Sequence, residues 1–445
     1  MSSVGLGEGS NKLFFESEFE SLVLKDQRLK SRALKIFTAL MAKFTSCIKN
    51  LFDNPQDQRQ AYDFFVNNKV NNDHLIEPHF RQTTDRINNN NDNLLLVIQD
   101  STYLNFTKHK AKIDIGRIGK NSNTEQYGII QHSSLCTTLN NEPLGLIDLQ
   151  FYDNEDFINK ASRDKRCAED KKTNYWVKAN KNLRDRVKDT SRKLVRVSDR
   201  ESDFFDYIHD LVNHDELFVI RAFHNRYTGE KASRREAKII ELIDKEKIEV
   251  QSKFEIYGPE TRSLEEVLLN IKKLEKVSIP VLEKMLNKEN YHAIKLNVVK
   301  CYDNDRCWIL LTNLPVDNIE KLGTVINCYR MRWHIEDYHK ILKTGVQIEK
   351  VYLHSSSEAI KNLLTMIAIC ACRLYWIIFM GRNDDNNRAS KCFREHEWQA
   401  IYMYHKLEIP KIEPSIKEVV LLIARLSGYK HTKHSAPPSI LLVNE

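Results

Sequence analysis

Six side chains could do chemistry together: the acids Asp100, Asp199 and Glu336, and the Tyr329, Arg332 and Lys343 that surround the last of them. Asp100 closes the apolar run LLLVIQD, and Asp199 follows the apolar residues of KLVRVSD, so each ends a predicted buried strand. An acid at the rim of a sheet stays open to solvent and substrate. Two such acids and a helical glutamate form an all-oxygen donor set suited to a pair of Mg²⁺ ions, which keep waters and share carboxylates with phosphate oxygens. Arginine offers a planar fork and lysine a mobile point charge, both suited to phosphate. The alternative for each aspartate is a turn or helix cap.

The glutamate lies in YRMRWHIEDYHKILKTG, residues 329–345, which holds no proline and no internal glycine and is expected to be one helix. At about 100° per residue, Tyr329, Arg332, Glu336 and Lys343 fall within roughly a 60° arc. Met331, Ile335, Tyr338 and Leu342 cluster on a separate, largely apolar face. The same geometry places Glu336 in the polar stripe and turns Asp337 away from it. An amphipathic helix with a solvated face is the plain alternative.

The elements that would position these groups can be read from the rest of the chain. At 445 residues and 52.2 kDa it is long enough for two or three domains. Residues 12–72 read as a small basic helical domain, including LKDQRLKSR and QAYDFFVNN. LLLVIQDSTYL is a strand, YGIIQHSSLCTT and PLGLIDLQFY flank LNNE as a hairpin, and KLVRVSDRESDFFDYI is a strand running into a helix. From about 215 to 315 strands dominate, with FVIRAF, YHAIKLNVV and CWILLTNLP the clearest and a helix-like interruption at 238–245. Helices return from Ile319.

Formal charge is +7 and the cations are clustered: residues 23–50 carry seven Lys/Arg against one Asp, and 159–197 carry fourteen against five acids. Such stretches point to a polyanion. The nine cysteines show no CxxC pair, which excludes a readable zinc site or disulfide framework and favours a reducing compartment. The N-terminus lacks a signal-peptide pattern. Residues 363–380 are the most apolar segment; Thr365 and Arg373 interrupt it and a capping-box pattern at Ser355 and Glu358 precedes it, so a buried helix is expected and no membrane span.

The order Asp100, Asp199, Glu336, with Tyr329, Arg332, Glu336 and Lys343 spaced Y-x2-R-x3-E-x6-K, resembles the YREK signature of bacterial DDE transposases of the IS-four group, in particular the Tn-five-like branch. The resemblance extends over almost the whole chain, through LKDQRLKSR, QAYDFFVNN, LLLVIQDST, QHSSL, PLGL and VSDRESDFFDYI. It implies a mixed α/β fold in three parts. Residues 1–72 would be a helical DNA-end-binding domain. Residues 73–379 would be a ribonuclease-H-like catalytic core with a β-rich insertion at about 215–315, and 380–445 a C-terminal helical dimerisation region.

It implies, further, a cut-and-paste transposase encoded by an insertion sequence. Asp100, Asp199 and Glu336 would bind two Mg²⁺ ions, with Mn²⁺ a possible substitute. The enzyme would act as endonuclease and strand transferase through a hairpin intermediate. Tyr329, Arg332, Lys343 and Arg221 would contact DNA phosphate near the cleaved end, Trp308 would stack on a flipped base with Trp333 beside it, and Arg28 and Arg32 would read the end sequence. The implied partners are double-stranded DNA with terminal inverted repeats, target DNA and a second subunit in a synaptic homodimer, in the bacterial cytoplasm and at the nucleoid. Three departures stand out: Leu29 replaces a family arginine, Lys172 replaces a glutamate, and the tail ends at HSAPPSILLVNE where relatives continue. A shortened dimerisation region is therefore expected, and a noncatalytic end-binding remnant that inhibits transposition is the alternative function; a metal-dependent nuclease on the same core is a further rival.

Overall fold

The computed structural model describes residues 16–19, 21–43, 47–108, 115–121, 124–152, 174–231, 233–257, 264–281, 291–350, 356–383, 387–426 and 428–429. Lys172, Ser355 and the terminal HSAPPSILLVNE lie outside them, as does the first part of the basic 159–197 segment. The chain divides into two compact units: Met1–Gln82, His109–Asp114 and Lys340–Glu445 form one, Thr83–Lys108 and Ile115–His339 the other.

The first unit opens with α1 (Gln27–Lys43), whose buried residues Ala33, Ile36, Phe37, Leu40 and Met41 follow the spacing of one helical face. After α2 (Ile48–Leu51), α3 (Pro55–Phe65) begins at Asn54, whose side chain accepts the Asp57 amide at 2.7 Å, with Pro55 in the first turn. Helix α4 (Asn72–Asn89) carries the chain into the second unit.

That second unit is built on a large mixed sheet. Its strands are β1 (Leu94–Asn105), β2 (Arg117–Asn121), β3 (Thr124–Thr138), β4 (Pro143–Tyr152) and, after helix α5 (Asn174–Val187), β5 (Lys193–Ser198). Helix α6 (Phe205–Asn213) leads to β6 (Leu217–Arg221), and α7 (Ile239–Lys245) precedes β7 (Val250–Tyr257), β8 (Leu264–Ile279), β9 (Ile294–Tyr302) and β10 (Cys307–Thr312). The order is β2-β3-β1-β5-β6-β10-β9-β8-β7, with β4 paired to β3. Strands β1, β5 and β6 are mutually parallel, and the remaining pairs are antiparallel. The expected mixed α/β class, the β3–β4 hairpin and the strand-rich stretch after β6 are all present.

Parallel strands covered on both faces must be apolar, and Leu95, Leu96, Val97 and Ile98 are wholly buried. Leu95 and Val97 belong to a core with Ile87, Leu144 and Leu183, and a second core gathers around Trp176, Tyr207 and Phe218. Arg196 is the exception in β5. It is buried and pairs with Glu216, which also accepts Arg184 at 2.8 Å, so the internal charge has its counter-ion. Gly128 in β3 is required by close approach: a Cβ there would stand 1.9 Å from the Leu104 carbonyl oxygen of β1.

Beyond the sheet come α8 (Ile319–Arg330) and α9 (Trp333–Lys340), and here one expectation is overturned. Residues 329–345 do not form a single helix. The Arg332, His334 and Ile335 amides bond three residues back, to Tyr329, Met331 and Arg332, so the chain tightens and turns between the helices, and Ile341–Gly345 is a π-helical turn. No proline or glycine causes the break. It accompanies the side-chain bonds of Tyr329 and Arg332 described below. The Met331, Ile335, Tyr338 and Leu342 face is nonetheless buried as expected.

The first unit closes with α10 (Ser357–Asn383), α11 (Glu395–Tyr404) and α12 (Ile416–Leu426). By length and composition α10 could cross a membrane, but 89% of its apolar window is buried. The hydroxyl that accepts the Ala359 amide is Ser356. Asn362 on α10 donates to the carbonyls of Phe65 (3.2 Å) and Val70 (3.1 Å), fixing the α3–α4 turn. Asn362→Ala leaves both carbonyls without this donor and should lower the unfolding free energy by on the order of 2 kcal/mol, read from the urea midpoint at unchanged slope.

Candidate active site

The parallel ladder of β1 and β5 runs from Leu94 opposite Lys193 to Ile98 opposite Val197. Asp100 lies two residues past Ile98 and Asp199 two past Val197, and Asp199 is still extended (φ −92°, ψ −172°). Asp199 follows the end of β5 as expected, but Asp100 does not close its strand: β1 runs on to Asn105, paired with β3. Since strand side chains alternate with period two and neighbouring strands sit about 4.8 Å apart, the two acids stand in equivalent positions just past the end of the β1–β5 ladder. Both are part-exposed. The Asp100 carboxylate accepts the Ser101 amide at 2.8 Å, and Asp199 accepts the Arg200 amide at 2.8 Å.

Glu336 arrives from α9. Ser133 faces Asp100 across the β1–β3 ladder, and its hydroxyl lies 3.3 Å from Nε2 of His339, one turn after Glu336. Arg332 then spans the acids: Nη1 is 2.6 Å from Glu336 Oε1 and Nε is 3.8 Å from Asp199 Oδ2. The hydroxyl of Tyr329, a buried residue, donates to Asp199 Oδ1 at 3.2 Å. Arg221, at the end of β6, approaches that oxygen at 3.7 Å and the tyrosine hydroxyl at 3.5 Å. Sequence placed Tyr329, Arg332 and Glu336 on one stripe. The structure brings them together through bonds to Asp199, across a break in the helix.

Electrostatics mark the same point. Burial pushes the Asp100 carboxyl up to about 7; the Glu201 and Glu336 carboxylates add to this, while the Ser101 amide and Arg332 oppose it. Glu336 is raised by burial, with Asp199 and Asp337 adding and Arg332 opposing. Burial also lifts Tyr329 to about 12, keeping its proton on the donor. For Arg332 burial disfavours the cation, yet Glu336, Tyr329 and Asp199 outweigh it and raise the pKa. Among the described residues no three His, Cys, Asp or Glu close on one point as a metal cage. The acids are an open, oxygen-only set with Arg332 between two of them.

Sequence reading assigned no role to several supporting groups. The Ser101 hydroxyl lies 3.0 Å from Nδ1 of His132, whose ring packs against Tyr175 and Trp176; burial lowers its pKa to about 3, so it is neutral. Buried Asp203 accepts the Phe223 and His224 amides at 2.6 and 2.8 Å and pairs with Arg226, which fixes the turn that carries Arg221. The D-R-E-S-D string around Asp199 was a visible signal for Asp203.

Beside the acids is a cleft of about 240 Å³ lined by Trp308, Tyr329, Trp333 and Ile256 and by four arginines, Arg221, Arg306, Arg330 and Arg332. Trp308 meets Tyr329 edge to face at 5.1 Å, and Arg332 lies 5.8 Å over the Trp333 ring. Both tryptophans named from sequence therefore face one space. Arg330 falls off the spacing of the stripe, and Arg306 stands just before β10, away from that segment. Lys343 stands in the π-helical turn of the first unit.

Of the two arginines expected to read DNA, Arg28 is exposed on its backbone segment, whereas Arg32 donates to Asp57 at 3.0 Å. Residues 11–70 match the family described as transposase DNA-binding, and 369–442 match the transposase Tn5 dimerisation domain. Both matched segments are those of a Tn5-like transposase. The transposase thus binds DNA through its N-terminal helices and dimerises through the segment that includes most of α10 and all of α11 and α12.

In its DNA-binding helices, Asp57 is held down to about 2 by Lys35 first, then Asn54 and Arg32. A carboxyl depressed in the folded state stabilises above its unfolded pKa near 4, and the gain is lost as pH falls toward 2. Asp57→Asn should lower the melting temperature of the transposase at pH 7, and the gap from the parent should narrow between pH 4 and 2. A gap independent of pH would show that charge is not the cause.

Proposed function

We propose that the transposase is a cut-and-paste enzyme of the IS-four group that uses a YREK-type acid site on a ribonuclease-H-like core. The observation that carries the reading is the register equivalence of Asp100 and Asp199, with Glu336 tied to Asp199 through Arg332. Three carboxylates without nitrogen or sulfur ligands suit hard divalent ions such as Mg²⁺, which complete their shell with water and substrate phosphate. Asp100, Asp199 and Glu336 would hold them. When bound, two such ions activate a water or 3′ hydroxyl and stabilise the departing oxygen.

The chain's own residues supply position and charge. Arg221 and Arg332 face the point where a scissile phosphate would meet the acids, and their guanidinium forks suit its oxygens. Tyr329 orients Asp199 through its hydroxyl. In the proposed sequence, water cleaves one strand at the transposon's terminal inverted repeat and frees a 3′ hydroxyl. That hydroxyl attacks the opposite strand, displaces its 3′ oxygen and leaves a hairpin; a second water reopens it, and the same hydroxyl later joins target DNA. Hairpin geometry strains the terminal bases. A base driven out of the stack would find Trp308, with Trp333 across the cleft, and aromatic stacking returns about 1–3 kcal/mol per base.

Asp199→Asn should abolish Mg²⁺-dependent nicking of DNA bearing the element's ends while end binding by gel shift persists. Normal excision by that variant would remove the acid site from the mechanism, and a parent that binds ends without cutting them would favour the remnant reading. Trp308→Ala should cut hairpin yield at least tenfold more than first-strand nicking, measured on denaturing gels. Equal losses would assign the ring to packing against Tyr329.

A further inference from the structure

The four arginines of the cleft do not have equivalent partners. Arg221 approaches Asp199, and Arg332 is paired with Glu336 and Asp199. Arg306 is neutralised twice, by Asp303 at 3.1 Å and Glu265 at 2.8 Å. Arg330 differs. Among the described residues its one hydrogen bond goes to a neutral acceptor, the backbone carbonyl of Glu255, at 2.7 Å, and none of their carboxylates forms an ion pair with it. The consequences are opposite in sign: carboxylate partners raise the pKa of Arg306 and Arg332, whereas burial lowers that of Arg330, with the Glu255 charge opposing from a distance.

A part-buried cation without a counter-ion is costly unless something else supplies the anion. Arg330 holds its charge on the wall of a cleft whose other walls are Trp308, Tyr329, Trp333 and Ile256. Aromatic rings provide a surface for a base, and an uncompensated guanidinium beside them provides for the phosphate joined to that base. The Glu255 carbonyl takes Nη1 alone. A planar fork with five donors keeps others for a ligand.

We propose that Arg330 is a phosphate-binding residue of this cleft, pairing with the backbone phosphate next to the nucleotide whose base lies against Trp308. The proposal rests on the reading of the cleft as a base pocket and adds the group that recognises the nucleotide's charge. Arg306 is excluded from the role by its own carboxylates.

The test measures binding with EDTA present, so it does not depend on cleavage. The probe is a short oligothymidylate carrying one 2-aminopurine, whose fluorescence falls on stacking, and affinity is followed as a function of salt. Arg330→Gln keeps a donor for the Glu255 carbonyl and removes the charge. It should reduce the slope of log K against log salt by about 0.7, the value for one phosphate on a single strand, and Arg330→Lys should retain the parental slope. A second measurement needs no variant: replacing the linkage beside the 2-aminopurine with a neutral methylphosphonate should cost the parent protein the same slope and leave Arg330→Gln indifferent. A parental slope in Arg330→Gln, equal losses in the glutamine and lysine variants, or a parent blind to the methylphosphonate would each overturn the assignment. If the base-pocket reading alone fails, the quenching is absent and the slope change remains.

Discussion

The parallel register of β1 and β5 is the constraint on which the site depends. Ladder pairing ends two residues short of both aspartates, so whatever holds that ladder also holds Asp100 and Asp199 side by side. A slip of one residue would send Asp199 to the opposite face of the sheet. Buried aliphatic residues on both strands resist such a slip only weakly, because one apolar residue replaces another. Arg196 resists it strongly. Its buried guanidinium has a fitting partner in Glu216 at the native register, and a shifted strand would strand that charge in the interior.

Charge crowding at the rim is the opposite kind of arrangement. Asp100 and Glu336 are held where their ionised forms are disfavoured, and Arg332 offsets part of that cost while remaining ready to exchange partners. A fold selected for stability alone would not place three acids beside a cleft lined by four arginines. Local conflict of this kind is expected where a charged ligand completes the structure.

Much of the fold was legible because the signals were local. Continuous apolar runs marked β1, β5 and β6, and LNNE marked the β3–β4 turn, where Asn141 adopts a positive φ of 74°. The same runs placed Asp199 just past β5, but not the length of β1, which continues beyond Asp100 to Asn105 because β3 pairs with it there. The turn between α8 and α9 was not legible, since residues 329–345 have uniform helical propensity and the break accompanies bonds to Asp199, 130 positions earlier. His339 and Arg330 escaped for a related reason: their importance lies in what they touch, and an ordinary residue type at an ordinary spacing announces no partner. The gathering of N- and C-terminal segments into one unit likewise has no local signature.

Gly128 shows a different kind of constraint from the acids. At Asp100 a replacement is judged by its chemistry, and a conservative change of side chain keeps the backbone intact. At Gly128 the neighbouring Leu104 carbonyl occupies the place of the first side-chain atom, so every possible missense change meets the same obstacle whatever its polarity or size. Neutral drift through this part of the gene therefore has no route past that codon, although its residue takes no part in the chemistry.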